Sequence, residues 1–92
     1  MRRYAAKRDS NEKQIIEALE GIGASVTQIS AKGIADLLVG YQGVTYLMEI
    51  KNKYGKLTPD QIAFIEAWRG SPVLIVKTIK QALEALEVTI YE

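Results

Sequence analysis

The chain has 92 residues, with 12 Lys and Arg against 11 Asp and Glu, and it contains neither cysteine nor histidine. This length predicts one domain spanning residues 1–92, and the composition excludes a disulfide framework, a thiolate zinc site and histidine acid–base chemistry. No apolar run approaches the roughly 20 residues of a membrane span, and the basic first residues lead into no apolar segment, so we expect a soluble, cytoplasmic protein.

Charge is distributed unevenly along the chain. Residues 1–56 hold nine Lys and Arg against six Asp and Glu, whereas residues 57–92 hold three against five. If acids of the first part bind a metal, that part becomes a basic surface suited to a phosphate backbone. Alternatively, the basic residues of positions 1–9 form a flexible, solvated terminus. These residues are Arg2, Arg3, Lys7 and Arg8.

The first half of the chain predicts one helix and three strands. An apolar stripe that ends at a glycine predicts a helix over residues 10–21, capped by Asp9 or Ser10. Weak alternation predicts a short strand over residues 24–30. Two apolar runs follow, at 34–40 and 44–51, and the glycine-containing turn between them indicates a hairpin.

The second half begins with a basic loop at residues 52–57. The sequence Thr-Pro-Asp-Gln at residues 58–61 is typical of a helix start, because threonine caps it and glutamine is placed for a capping box. Residues 73–76 are wholly apolar, as in a strand covered on both faces, and residues 79–87 predict a last helix. A short terminal strand is predicted at residues 88–91. The order αβββαβα indicates a small α/β domain with a mixed sheet flanked by helices.

Two carboxylates interrupt the apolar runs of the hairpin. Side chains alternate along a strand, so Asp36 shares a face with Leu38 in the first run, and Glu49 shares a face with Lys51 in the second. If the strands pair, both carboxylates can point into one space, where burial costs several kcal/mol. A divalent cation offsets that cost, and Mg²⁺ suits the pair because it prefers oxygen ligands.

Two further residues allow alternative interpretations. Glu12 continues the apolar stripe of the first helix because it lies three residues before Ile15. It could supply a further metal or water ligand, or it could join Asp9 in a capping box. Lys51 could position a water and stabilise charge on a phosphate, or it could form a surface ion pair with Glu49 across an edge strand.

The spacing of Asp36, twelve intervening residues and then Glu49-Ile50-Lys51 resembles the PD-(D/E)XK nuclease superfamily. With residues 33–40 and 55–61 included, the chain is more narrowly similar to the VRR-NUC family of virus-type replication-repair nucleases. This resemblance runs from about Glu12 to the last helix. Ala35 replaces the superfamily's proline, which shapes the backbone and carries no chemistry.

The resemblance implies a restriction-endonuclease-like core and a Mg²⁺-dependent DNA endonuclease, with Mn²⁺ able to substitute. It implies metal binding by Asp36, Glu49, the Ile50 carbonyl and Glu12, with Lys51 as the catalytic lysine. Gln61 matches the family's glutamine near the scissile phosphate, and its alternative role is the capping box. We expect six basic residues to hold the DNA backbone without reading sequence, namely Arg2, Arg3, Lys7, Arg8, Lys53 and Lys56.

Stand-alone phage and bacterial members are similar to Holliday-junction resolvases, which act as homodimers on four-way DNA. We therefore expect a homodimer selective for branched DNA in a bacterial or host cytoplasm. The alternatives are a repair nuclease for flaps or single strands and a non-catalytic nucleic-acid-binding module. A dimer interface could involve Tyr46, Met48, Trp68 and residues 88–91, or these could be ordinary core residues.

Overall fold

The computed structural model describes residues 10–87, which form three helices and four strands. In chain order these are α1 (Glu12–Gly21), β1 (Ser25–Gln28), β2 (Leu37–Tyr41), β3 (Val44–Ile50), α2 (Pro59–Ala67), β4 (Val73–Val76) and α3 (Ile79–Glu87). This order confirms the predicted αβββαβα arrangement. The predicted terminal strand, the Asp9 cap and the four basic residues Arg2, Arg3, Lys7 and Arg8 lie outside the described residues. No helix within residues 10–87 is both long and apolar enough to cross a membrane.

The four strands form one mixed sheet in the order β1-β2-β3-β4. The first three strands are antiparallel neighbours, and β4 pairs with β3 in parallel after the crossover through α2. The β2–β3 hairpin turns on Gln42 and Gly43, which both have positive φ, at 51° and 81°. Two such residues give a tight turn whose twist matches the strands, and this turn sets Leu37 opposite Met48.

One face of the sheet packs against α1 and α3 and forms the core. Helix residues such as Ile15 and Leu86 and strand residues such as Leu37 and Val39 are fully buried there. Met48 is also fully buried in this cluster, together with Tyr46 at 8% exposure. Tyr46 and Met48, considered above for a dimer interface, are therefore core residues.

The opposite face of the sheet is much more open. No residue of α2 is buried, and Leu38, Ile75 and Trp68 remain 41–44% exposed. The prediction that residues 73–76 are covered on both faces was wrong, because β4 is an edge strand and only Val76 at its end is fully buried. This open face carries the polar groups described next.

Candidate active site

Asp36 and Glu49 lie side by side where β2 begins and β3 ends. The hairpin pairs Leu37 with Met48, so Asp36 and Glu49 are the next residues along the two strands. The Asp36 N–H donates to the Met48 carbonyl at 3.1 Å, and Asp36 Oδ2 accepts from the Ile50 N–H at 2.7 Å. The prediction that Asp36 lies inside a strand beginning at residue 34 was wrong. The strand begins at Leu37. One residue earlier, the Ile50 N–H of β3 donates to the Asp36 side chain and not to a backbone carbonyl, so the regular ladder does not extend to Asp36.

Glu49 is held by two donors in an almost fully buried position. Its side chain is 2% exposed, and Oε2 accepts from Gln61 Nε2 at 2.6 Å. The same oxygen lies 3.2 Å from Lys51 Nζ, and the Lys51 side chain is only 13% exposed. The alternative of a surface ion pair on an edge strand is therefore wrong, because β3 lies between β2 and β4 and the pair is buried.

The carboxylate pair carries more negative charge than its surroundings neutralise. The pKa of Glu49 is raised from 4.5 to about 7, first by burial and second by repulsion from Asp36, while Lys51 opposes the rise. A side-chain hydrogen bond with Asp36 also favours the protonated form. Such a site gains from a nearby cation, because opposite charge favours ionised carboxylates.

The donor atoms of the site are suited to a hard cation. Between residues 10 and 87, no three His, Cys, Asp or Glu side chains converge into a metal-binding group. Asp36 and Glu49 therefore form a pair that backbone or water oxygens would have to complete. Mg²⁺ fits this description because it is commonly held by one or two carboxylates and keeps several waters.

Glu12 is the first residue of α1 and is also buried, at 3% exposure. Gln28 Nε2 of β1 donates to Glu12 Oε2 at 3.2 Å. The capping-box alternative involves Asp9, which the structure does not describe. The role of Glu12 as a metal or water ligand stays a prediction.

The Gln61 side chain makes the predicted capping box and also contacts Glu49, while its role near the scissile phosphate stays a prediction. Its Oε1 accepts from the Thr58 N–H at 2.9 Å, which completes the capping box, while Nε2 donates to Glu49. The start of α2 is thereby tied to the carboxylate pair. Gly33 also lies close to this turn of the helix, since a Cβ added to Gly33 (φ +81°) would be only 3.1 Å from Asp60 Cβ. The loop before Asp36 therefore packs closely against the first turn of α2.

Asn11 is a site residue that sequence reasoning missed. Its Nδ2 donates to the Lys51 carbonyl at 3.1 Å and to the Lys77 carbonyl at 2.8 Å. Asn11 thus joins the chain just after β3 to the chain just after β4, where the Lys51 N–H also donates to the Val76 carbonyl at 3.0 Å. An asparagine just before a helix predicts an N-cap hydrogen bond from its side chain, yet the Asn11 side chain makes no such bond. No pattern in the sequence indicates this long-range role.

The loop after β3 lies at the rim of the site. Lys53 and Lys56 are both exposed, so their predicted contact with a DNA backbone is sterically possible. Gly55 packs against the stem of Lys51, since a Cβ at Gly55 would lie 3.2 Å from Lys51 Cδ. Tyr54, which sequence reasoning passed over, is 81% exposed.

Comparison with known proteins places this fold. No protein-family model matches the chain, and no curated protein matches it either. A solved structure described as a VRR_NUC domain superposes with a TM-score of 0.67 and 28% sequence identity. The similarity covers 86% of this chain and 97% of that chain, so the two share the fold over nearly their whole lengths.

Proposed function

We propose, on the VRR-NUC family assignment that this similarity supports, that the chain is a metal-dependent endonuclease that hydrolyses DNA phosphodiester bonds. Residues 1–92 would form one nuclease domain that acts in a bacterial or host cytoplasm. The observation that carries the proposal is the Asp36–Glu49 pair, in which Glu49 is 2% exposed and its Oε2 lies 3.2 Å from Lys51 Nζ. Bringing two carboxylates and a lysine together around a buried Glu49 costs folding free energy, and such clusters are concentrated at functional sites.

In this proposal Mg²⁺ is held by Asp36, Glu49 and the Ile50 carbonyl, and Mn²⁺ can substitute for it. Glu12 would hold a water or a second ion from the start of α1. The all-oxygen donor set and the raised pKa of Glu49 support this assignment. When bound, the ion supplies Lewis-acid polarisation of the phosphate and makes water easier to deprotonate.

The protein groups around the carboxylates orient the reaction. The Lys51 ammonium lies 3.2 Å from Glu49 Oε2, and the Lys51 carbonyl accepts from Asn11. With its side chain and backbone both held, Lys51 would stabilise negative charge on the phosphate and orient the attacking water. Gln61 Nε2 donates to the Glu49 carboxylate at 2.6 Å and so orients it. When DNA is bound, the same amide would donate to the scissile phosphate. Lys53 and Lys56 would contact the DNA backbone without reading sequence, together with Arg2, Arg3, Lys7 and Arg8.

We further propose that the substrate is branched DNA, such as a four-way junction, cut by a homodimer. A domain of this size offers little surface for recognising DNA shape, whereas a twofold dimer presents two sites to symmetric strands. The dimer contact would have to leave the carboxylate pair open to DNA. The exposed apolar side chains of Ile62 and Trp68, in α2 and at its C-cap, would take part in it.

A cleavage panel tests the proposal. Wild-type protein and Glu49→Ala are compared on a four-way junction, a linear duplex, a single strand and a flap, with Mg²⁺ or Mn²⁺. Paired symmetric nicks on the junction that disappear in Glu49→Ala support a dimeric resolvase. Cutting of the flap or single strand alone supports a nuclease but contradicts junction selectivity. Binding without cutting of any substrate contradicts the nuclease and supports a non-catalytic binding module.

A further inference from the structure

Tyr54 presents an aromatic ring to solvent at the rim of the proposed active site. Its side chain is 81% exposed, about twice the 41–44% of the other exposed large apolar side chains among residues 10–87. An aromatic ring normally contributes to stability by burying a large apolar area. The Tyr54 ring makes little such contribution, so its position indicates a role in binding.

The loop holds the Tyr54 backbone in one conformation. Asn52 Oδ1 accepts from the Tyr54 N–H at 2.9 Å, and the Asn52 carbonyl accepts from the Gly55 N–H at 3.1 Å. An Asn side chain that bonds to the backbone two residues on is a standard means of building a turn. The ring therefore projects from an ordered corner, which lowers the entropy lost on binding.

The same turn places Tyr54 next to Lys51. Gly55 packs against Lys51, with only 3.2 Å between Lys51 Cδ and the position of a Gly55 Cβ. Tyr54 precedes Gly55 and follows Lys51 by three residues. Tyr54 is therefore the neighbour of a residue that packs on the stem of the proposed catalytic lysine, in the same short loop.

The charge of the loop selects the kind of ligand. Lys53 Nζ lies 5.5 Å from the centroid of the Tyr54 ring, and Lys56 is exposed on the other side of Gly55. Residues 50–59 contain three lysines and no acid. An exposed ring with one ammonium group 5.5 Å from its centroid and further lysines in the same loop matches a polyanion that also carries flat π surfaces, and nucleic acid has both features.

From these observations we infer that Tyr54 is a stacking platform for an unpaired nucleobase next to the scissile phosphate. The inference rests on the proposed nuclease function and adds a base-binding subsite to it. In a continuous duplex both faces of each base are covered by neighbouring bases. An open face exists only at a flap, a branch point or a single strand, so the subsite favours these substrates over continuous duplex.

The first test compares kcat/KM for a flap with kcat/KM for a continuous duplex of the same scissile sequence. Loss of the ring in Tyr54→Ala should lower the flap-to-duplex ratio by about tenfold, as expected for one base–aromatic stack. Tyr54→Phe keeps the ring and should restore the ratio. Val44→Ala is the matched control, because Val44 is 43% exposed at the opposite end of β3. An unchanged ratio in Tyr54→Ala overturns the inference.

The second test removes the base instead of the ring. An abasic nucleotide beside the scissile phosphate should lower the kcat/KM of wild type on the flap by about tenfold. The same abasic nucleotide should not lower the kcat/KM of Tyr54→Ala any further. Such non-additivity indicates a direct contact between the two groups, whereas additive losses overturn it. If wild type cuts no DNA, the nuclease proposal fails separately. Fluorescence anisotropy of intact and abasic flaps then tests the same non-additivity in binding.

Discussion

Replacing Glu49 with glutamine should make the metal-free protein more stable at pH 8. Burial, and then repulsion from Asp36, raises the pKa of Glu49 from 4.5 to about 7. Since one pKa unit corresponds to about 1.4 kcal/mol, ionised Glu49 destabilises the folded state by about 3 kcal/mol above neutral pH. Glutamine carries no charge, yet its amide oxygen can still accept from Gln61 and Lys51.

The pH dependence of this effect follows from the direction of the shift. The folded state binds the Glu49 proton more tightly than the unfolded chain does. The wild-type free energy of unfolding should therefore fall as pH rises from about 4.5 to about 7 and then level off. The advantage of Glu49→Gln should be below about 1 kcal/mol at pH 5 and about 3 kcal/mol at pH 8.

Urea unfolding followed by circular dichroism, with EDTA at pH 5 and pH 8, measures this advantage. Glu84→Gln is the matched control, since it removes the same charge from an exposed position on α3. Its stability difference from wild type should stay the same at both pH values. If Glu49→Gln gains no stability at pH 8, or shows the same difference at both pH values, the assigned cause of the Glu49 shift is wrong.

Three further substitutions test how the site is held in place. Gln61→Ala removes both the cap contact and the bond to Glu49, so urea unfolding should show a loss of about 2 kcal/mol, against about 1 kcal/mol for Thr58→Ala. Asn11→Ala should lower the free energy of unfolding by about 1–2 kcal/mol, because two carbonyls lose their donor. Gly55→Ala should displace the Lys51 side chain and slow single-turnover DNA cleavage by about tenfold.

Each of these predictions has a control and an outcome that contradicts it. Equal losses in Gln61→Ala and Thr58→Ala would mean that the bond to Glu49 contributes nothing. Ser10→Ala alters an exposed neighbour of Asn11, and a similar loss there would refute the role of Asn11. A Cβ on Gly21 would have no neighbour within 4 Å, so Gly21→Ala should leave cleavage unchanged. Unaltered cleavage in Gly55→Ala would refute the contact with Lys51.

Local patterns in the sequence were sufficient to predict the elements and the hairpin. Alternation and turn chemistry depend on neighbouring residues, and the turn at Gln42 and Gly43 determines the β2–β3 register without help from the rest of the chain. That register alone sets Asp36 beside Glu49. The meeting of the two carboxylates therefore follows from their spacing along the chain and from the turn between them.

Features that depend on distant contacts were not predictable. Asn11 joins residues 40 and 66 positions away, and no local pattern encodes such a bond. The apolar residues 73–76 indicated full burial, but their coverage depends on β4 lying at the sheet edge. The exposure of Tyr54 likewise depends on how the turn at Asn52 directs the ring.

Single-turnover cleavage by Lys51→Ala of the DNA that wild type cuts fastest in the four-substrate panel, with saturating Mg²⁺ and protein, tests the central claim most directly. Lys53→Ala, an exposed lysine two residues away, is the matched control. We expect Lys51→Ala to lose at least about 100-fold in cleavage rate, as for removal of a group that stabilises transition-state charge, while Lys53→Ala mainly weakens DNA binding. Cleavage by Lys51→Ala at the wild-type rate would contradict the proposed active site.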